Sequence, residues 1–244
     1  MQLQNMQLNV MNSLLVVLNS FLIAFSALLP LINPLGSALV FNGLVGDAPS
    51  PLYRSLARRI AINNIVFLTV IELLGVTILN FFGISLPIVQ FSGGMVIAAM
   101  GWSVLNERDA RATSRMKKQE TDTNDDREFQ EHHFEQEIFY PFTFPITSGP
   151  GTLVALLTVV AHNSSHTLTK NVLSHAGVFL AIVVLSLLVY FCYGYSPKLT
   201  KAIPPSTAHG ILRVVAFILL CIGVQISWNG LAQLIDQVIH GHHG

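Results

Sequence analysis

Six long apolar stretches, approximately 14–45, 60–82, 85–105, 139–161, 171–194 and 208–236, leave this chain few ways to fold. A bilayer's hydrocarbon core is about 30 Å thick and takes about 20 mostly apolar residues to cross as a helix, so each stretch is long enough to span it. In lipid every backbone amide and carbonyl must be paired internally, which admits only helices and closed barrels. Runs this long, without turn residues every ten positions, do not match the alternating strands of a barrel. The expected class is an all-α integral membrane protein of about six transmembrane helices.

Charge placement divides the six. Only 11% of the 244 residues are charged, against about 25% in soluble domains, and sixteen of those charges fall between Glu107 and Glu137. The chain is thus expected to comprise spans one to three (1–105), a charged solvated linker (106–138) and spans four to six (139–244). Thirteen Lys+Arg balance thirteen Asp+Glu, leaving no global basic excess to suggest a nucleic-acid partner. Eleven of the basic residues lie after the first, third and fifth spans (Arg54, Arg58, Arg59; Arg108 to Arg127; Lys198, Lys201), and Lys170 alone lies in the opposite loops. The positive-inside bias then puts the linker in the cytoplasm and both termini outside. Met1–Met6 contains no Lys or Arg, so a cleaved signal peptide with its basic n-region is not expected.

Proline and glycine interrupt two of the spans. Pro30-Leu-Ile-Asn33-Pro34-Leu-Gly36-Ser37 in the first and Pro145-Ile-Thr-Ser148-Gly149-Pro150-Gly151-Thr152 in the fourth align at a constant offset of 115. Proline removes a backbone donor and clashes with the preceding turn, so both helices should break or re-enter here. With three spans between the breaks, the second half must enter the membrane from the other side, giving two inverted three-helix repeats. Matched Gly/Pro interruptions in two halves point to a transporter's binding site near the bilayer midplane. Amides freed after Gly36 and Gly151 would suit an anionic group, and carbonyls before the breaks a cation, together the complement of a zwitterion. The 33 residues from Ser13 to Val45 would run about 50 Å as one helix, so the first segment is expected to tilt, protrude, or dip and return.

Three ionisable residues fall within spans: Glu72, Arg213 and, near an end, Asp236. A bare charge there is costly. Glu72, about the middle of the second span, reads either as a proton-relay group or as a neutral carboxyl bonded between helices, and Arg213 either snorkels to headgroups or binds a substrate carboxylate. Ser92-Gly93-Gly94 allows close helix approach, and with Gln90, Gln225 and Asn229 forms a weaker set of lining candidates. Cys192 and Cys221 lie in apolar stretches without metal-ligand or redox spacing, and are expected to be buried thiols. His132-His133 and His240-Gly-His242-His243 have no fixed geometry, so neither a metal site nor a cofactor is expected. Asn163-Ser164-Ser165 matches the glycosylation sequon, weakly in so short a loop. There is no nucleotide-binding motif and no nucleophile–base pair, so neither ATP drive nor enzymatic activity is expected.

Several stretches resemble the MarC family of six-span bacterial inner-membrane proteins: Leu28-Leu-Pro-Leu-Ile-Asn-Pro-Leu-Gly36, Phe82-Gly-Ile-Ser85, Ser92-Gly-Gly94, Ser148-Gly-Pro-Gly-Thr152, and Arg213 onward through Cys221-Ile-Gly-Val-Gln225 to Asn229-Gly230. The resemblance implies an inner-membrane secondary transporter, with a branch of the family acting on small neutral amino acids such as alanine and glycine. It departs at Gln90, where members usually carry an arginine matching the one that opens the sixth helix, here Arg213. Residues and resemblance together lead us to expect alternating access at the paired breaks. Asn33, Ser37, Ser148 and Thr152 would bond the solute, Gly36, Gly149 and Gly151 would expose backbone, Pro34 and Pro150 complete the expected substrate-binding set, and Glu72 would couple protons. A passive channel, or a membrane scaffold acting through the linker, are the alternatives. Oligomeric state is not legible.

Overall fold

The structure is a computed structural model and describes residues 2–46, 48–106, 138–163, 167–202 and 205–240. The linker at 107–137 with its two histidines, Ser164, Ser165, His242 and His243 lie outside the described residues. In chain order the helices are α1 (Gln2–Ile32), α2 (Pro34–Val45), α3 (Ser50–Phe81), α4 (Leu86–Asn106), α5 (Ile138–Thr147), α6 (Pro150–Asn163), α7 (Leu168–Gly194), α8 (Ser196–Ala202) and α9 (Pro205–His240). Five runs are long and apolar enough to cross a membrane, and α5 with α6 forms a sixth, bent by 65°. The all-helical, six-span expectation holds among the described residues.

The two breaks are built differently. Asn33 alone separates α1 from α2, and the helical bonds Asn33 N–H to Leu29 O and Ser37 N–H to Asn33 O, both 2.9 Å, carry across it. Val10–Val45 therefore continues as one apolar run of 36 residues. The second break has three prolines in ten residues. Tyr140 (φ −123°, ψ 123°) and Phe144 (φ −124°, ψ 126°) are extended inside α5, and both directly precede a proline, whose ring drives the preceding residue out of the α region. Thr143 and Thr147 hydroxyls donate to Ile138 O and Phe142 O, five residues back, at 2.8 and 2.7 Å, which ties the proline-broken turns together.

α7 is the central post. Ala181, Ile182, Leu185, Val189 and Tyr193 are buried along it at helical spacing, against Leu28 and Ile32 of α1, Phe41 of α2, Ile60 and Leu68 of α3 and Leu156 of α6. α1 and α2 run parallel to α7, since Gly177 meets the backbone of Val17 and Phe21 while Tyr193 stacks on Phe41 at 4.5 Å. α3 runs antiparallel to it: Ala57 faces Gly194, and Asn64 bonds Ser186. α6 lies between α3 and α4, where Gly75 faces Leu157 and Gly93 faces Val154.

α4 and α9 form an antiparallel pair held by four glycines. Gly94 and Gly101 lie against the backbone of α9 around Gly223, Ser227 and Leu220, and Gly223 and Gly230 against the backbone of α4 around Ala98, Gly94 and Phe91. Adding 129 to a residue on α4 gives its counterpart on α9, so that Gly94 facing Ser227 is mirrored by Gly223 facing Ala98, and Gly101 facing Leu220 by Gly230 facing Phe91. Small residues are what allow such close approach in a membrane, where helices gain by packing and not by burying apolar surface.

Candidate functional site at the helix breaks

At the first break Asn33 adopts the left-handed conformation (φ 43°, ψ 65°), which asparagine tolerates better than most residues. Its side-chain oxygen accepts the Gly36 amide at 3.2 Å. The Ser37 hydroxyl donates to Asn33 O at 2.8 Å and reaches Ile32 O at 3.2 Å. The amide and carbonyls expected to be free for a solute are therefore paired within the break itself.

The second break is knitted to its neighbours. Ser148 Oγ donates to Asn64 Oδ1 at 2.5 Å, and Asn64 Nδ2 donates to Ser186 Oγ at 3.0 Å. Thr147 Oγ1 lies 2.8 Å from the Tyr193 hydroxyl; its own proton is used on Phe142 O, so Tyr193 donates. Tyr193 also stacks on Phe41 of α2, ring centroids 4.5 Å apart, so one phenol touches the elements of both breaks. Ser37, Asn64, Thr147, Ser148, Thr152, Ser186 and Tyr193 are all buried. Thr152, the counterpart of Ser37 at the offset of 115, keeps a buried hydroxyl without a partner. Gly151 beside it approaches Leu31 of α1 and Ile97 of α4. Gly149 is buried near Pro145 O, and Pro150 is exposed.

Where α6 fills the space beside α4, α1 makes only sparse contact with α9. A half-open cavity of about 450 Å³ occupies that gap, walled by Asn33, Pro34, Leu188, Cys192, Val215 and Ile218. Its size falls within the roughly 300–1,000 Å³ usual for small-molecule sites. Leu212 packs at Gly36, so the exposed Arg213 is one residue from the first break. Cys192 is half-buried and Cys221 exposed on α9, a correction to the buried thiols expected of both: each helix turns one face outward, and Cys221 falls on that face.

Glu72 is not at mid-helix. Asn64 holds the centre of α3, and Glu72 lies toward the Phe81 end, its side chain 1% exposed and 3.2 Å from Nδ1 of His175 on α7. Gln90 is buried at a junction of three helices, donating to Thr158 at 3.4 Å and accepting from Gln233 at 3.2 Å. Ser92 bonds its own helix at Ile88 O, and Gln225 bonds Asn229, all three on exposed faces away from the breaks. Gly93 and Gly94 serve close packing against α6 and α9. Asn64, Thr147, His175, Ser186 and Tyr193 were not legible as site residues. Asn64 and His175 did leave a signal, a polar side chain inside an apolar run, which a formal charge balance with neutral histidine passes over.

The family model described as MarC family integral membrane protein matches residues 18–235. The chain belongs to the MarC family. The match includes both breaks, the Asn64 network and the α4–α9 glycines. The inner membrane protein MarC of Salmonella typhimurium (strain LT2) is 26% identical over 211 residues, covering 85% of this chain and 92% of the relative. The MarC proteins of Citrobacter koseri and Escherichia coli O1:K1 are 26% and 25% identical, with the same coverage. No solved structure matches. With its apolar spans, this MarC-family chain is a multi-pass inner-membrane protein.

Proposed function

We propose that this MarC-family protein is a secondary transporter of a small neutral or zwitterionic solute, of the size of alanine or glycine, working by alternating access at the two breaks. The observation that carries the reading is the buried polar network. Ser148, Asn64 and Ser186 bond to one another and Thr147 bonds Tyr193, with Ser37 and Thr152 buried at the two breaks, all inside an otherwise apolar bundle where polar groups are costly and mark solute pathways. The unpartnered Thr152 hydroxyl leaves one hydrogen-bonding group over for a solute.

The packing supports two inverted halves. α3 and α7, the second spans of each half, run antiparallel, as do the third spans α4 and α9, whose contacts repeat at a shift of 129. The aromatic group Phe41, Tyr53, Phe142 and Tyr193, fully buried, lies at the end that carries Arg54 and Lys198 over the Tyr195 ring. In this conformation it closes the breaks toward that end, which the positive-inside bias assigns to the cytoplasm. The gap between α1 and α9 is the open side.

Counterflow and uptake of labelled alanine and glycine in proteoliposomes test the reading. Thr152→Val keeps the shape of the side chain and removes the free hydroxyl; Asn64→Leu empties the centre of the network. Each is expected to lower uptake at least tenfold, and Gly36→Leu and Gly151→Leu, which crowd the breaks, to abolish it. Saturable wild-type flux that is unchanged in all four variants would rule out the breaks as the site.

A further inference from the structure

Beyond the breaks, an acid–base pair lies inside the bundle among the described residues. Glu72 on α3 and His175 on α7 are 103 residues apart in sequence and 3.2 Å apart in space, the carboxylate 1% exposed and the imidazole 30%. We propose that Glu72 and His175 form a one-proton site, entered from the end opposite the basic loops, whose occupancy couples solute movement to a proton gradient. This rests on the transport reading above and names its driving ion.

Depth supports an entry route. The 32 residues of α3 and 27 of α7 run about 48 and 40 Å as helices, against about 30 Å of hydrocarbon. His175 is seven residues after Leu168 and five after the exposed Lys170, about 8 Å along α7, so the pair lies one to two turns from the polar end of that helix, opposite the basic loops. The half-exposed ring is the member of the pair that meets the interface. A proton taken from water by imidazole gives imidazolium; passing it to the carboxylate gives the carboxyl and restores the imidazole, with one proton gained overall.

Among the described residues no other acid or base is placed at the pair. Among the described residues α1, α2 and α4 carry no ionisable side chain, α5 has Tyr140, and α6 has His162, exposed near its end. On the two helices themselves Lys170 is exposed five residues before His175, while Tyr53, Arg54, Arg58, Arg59, Tyr190, Cys192 and Tyr193 lie toward the opposite end. The placement also links the proton to the breaks. α3 holds the second break through Asn64 and Ser148, and α7 meets the second through Tyr193 and Thr147 and the first through the stack of Tyr193 on Phe41. A change in the Glu72–His175 bond therefore acts on the contact between the helices that grip the two breaks.

Glu72→Gln and His175→Gln preserve size and hydrogen bonding but remove the titratable group. In alanine-loaded proteoliposomes both are expected to keep counterflow, measured without a pH gradient, within twofold of wild type. Both are expected to lose at least tenfold in accumulation driven by an imposed pH gradient. Wild-type gradient-driven accumulation in both variants would overturn the proton site. If wild-type protein shows no counterflow of alanine or glycine, the transport reading fails, and the pair is then judged by NMR of 13C-glutamate and 15N-histidine in the reconstituted protein. There, a His175 titration midpoint that moves by at least half a pH unit in Glu72→Gln supports the shared proton, and an unmoved midpoint overturns it.

Discussion

Asn33 shows how one residue shapes a break. Its left-handed backbone needs a residue that tolerates positive φ, and its side chain caps the Gly36 amide at 3.2 Å. Alanine loses both, at about 0.5–2 kcal/mol for the cap and about 1–2 kcal/mol for the conformation; glycine keeps the conformation and loses the cap for a few tenths. Asn33→Ala is thus expected to melt at a lower temperature in detergent than Asn33→Gly, and the reverse order would show that the left-handed backbone at position 33 does not set the difference. That a break would fall at Asn33-Pro34 was legible, because proline's missing donor is a local property. That Asn33 and Ser37 pair the break's own amide and carbonyls was not, since it depends on the backbone angle adopted.

At the scale of elements the glycines separate into two kinds. A Cβ at Gly223 meets backbone atoms of Gly94 and Ala98, whereas at Gly43, exposed on α2, nothing lies within 4 Å. Backbone cannot step aside as a side-chain tip can, so Gly223→Ala forces α4 and α9 apart, at about 1–3 kcal/mol by analogy with overpacked cores. Gly43→Ala removes a poor helix former from open space and gains up to about 1 kcal/mol. Unfolding titration of the two variants should give opposite signs, and a neutral Gly223→Ala would show that the pair is looser than its geometry. The Ser92-Gly93-Gly94 motif pointed to close packing; which partner each glycine meets depends on how α6 and α9 dock, and neighbouring residues take different helices.

For the whole molecule, the asymmetry between the halves matters most. α6 fills the space beside α4, while beside α9 the junction of α1 and α2 borders a cavity of about 450 Å³ that includes Asn33 and Cys192. If solute enters there, alanine or glycine at saturation should slow maleimide labelling of Cys192 in a Cys221→Ser background several-fold. Labelling of Cys221 in a Cys192→Ser background, on the outward face of α9, should be unaffected. Equal rates with and without solute at Cys192 would place the entry elsewhere. The 65° bend at the second break and the continuous run through the first express the same asymmetry: three prolines in ten residues leave Tyr140 and Phe144 extended, whereas at the first break only Asn33 leaves the right-handed helical region and helical bonds carry across it.

Span number, the positions of both breaks and the segregation of charge follow from the sequence alone, because hydrocarbon imposes the same demand on every apolar run: pair all backbone groups within the helix. Proline and glycine mark locally where that demand fails. Which side chains then satisfy the broken ends was decided by tertiary structure. Asn64 reaches Ser148 across 84 residues of sequence, Glu72 reaches His175 across 103, and Tyr193 reaches Thr147 across 46. Such pairings are set by which helices pack against α7 and at what register, and no local pattern encodes either.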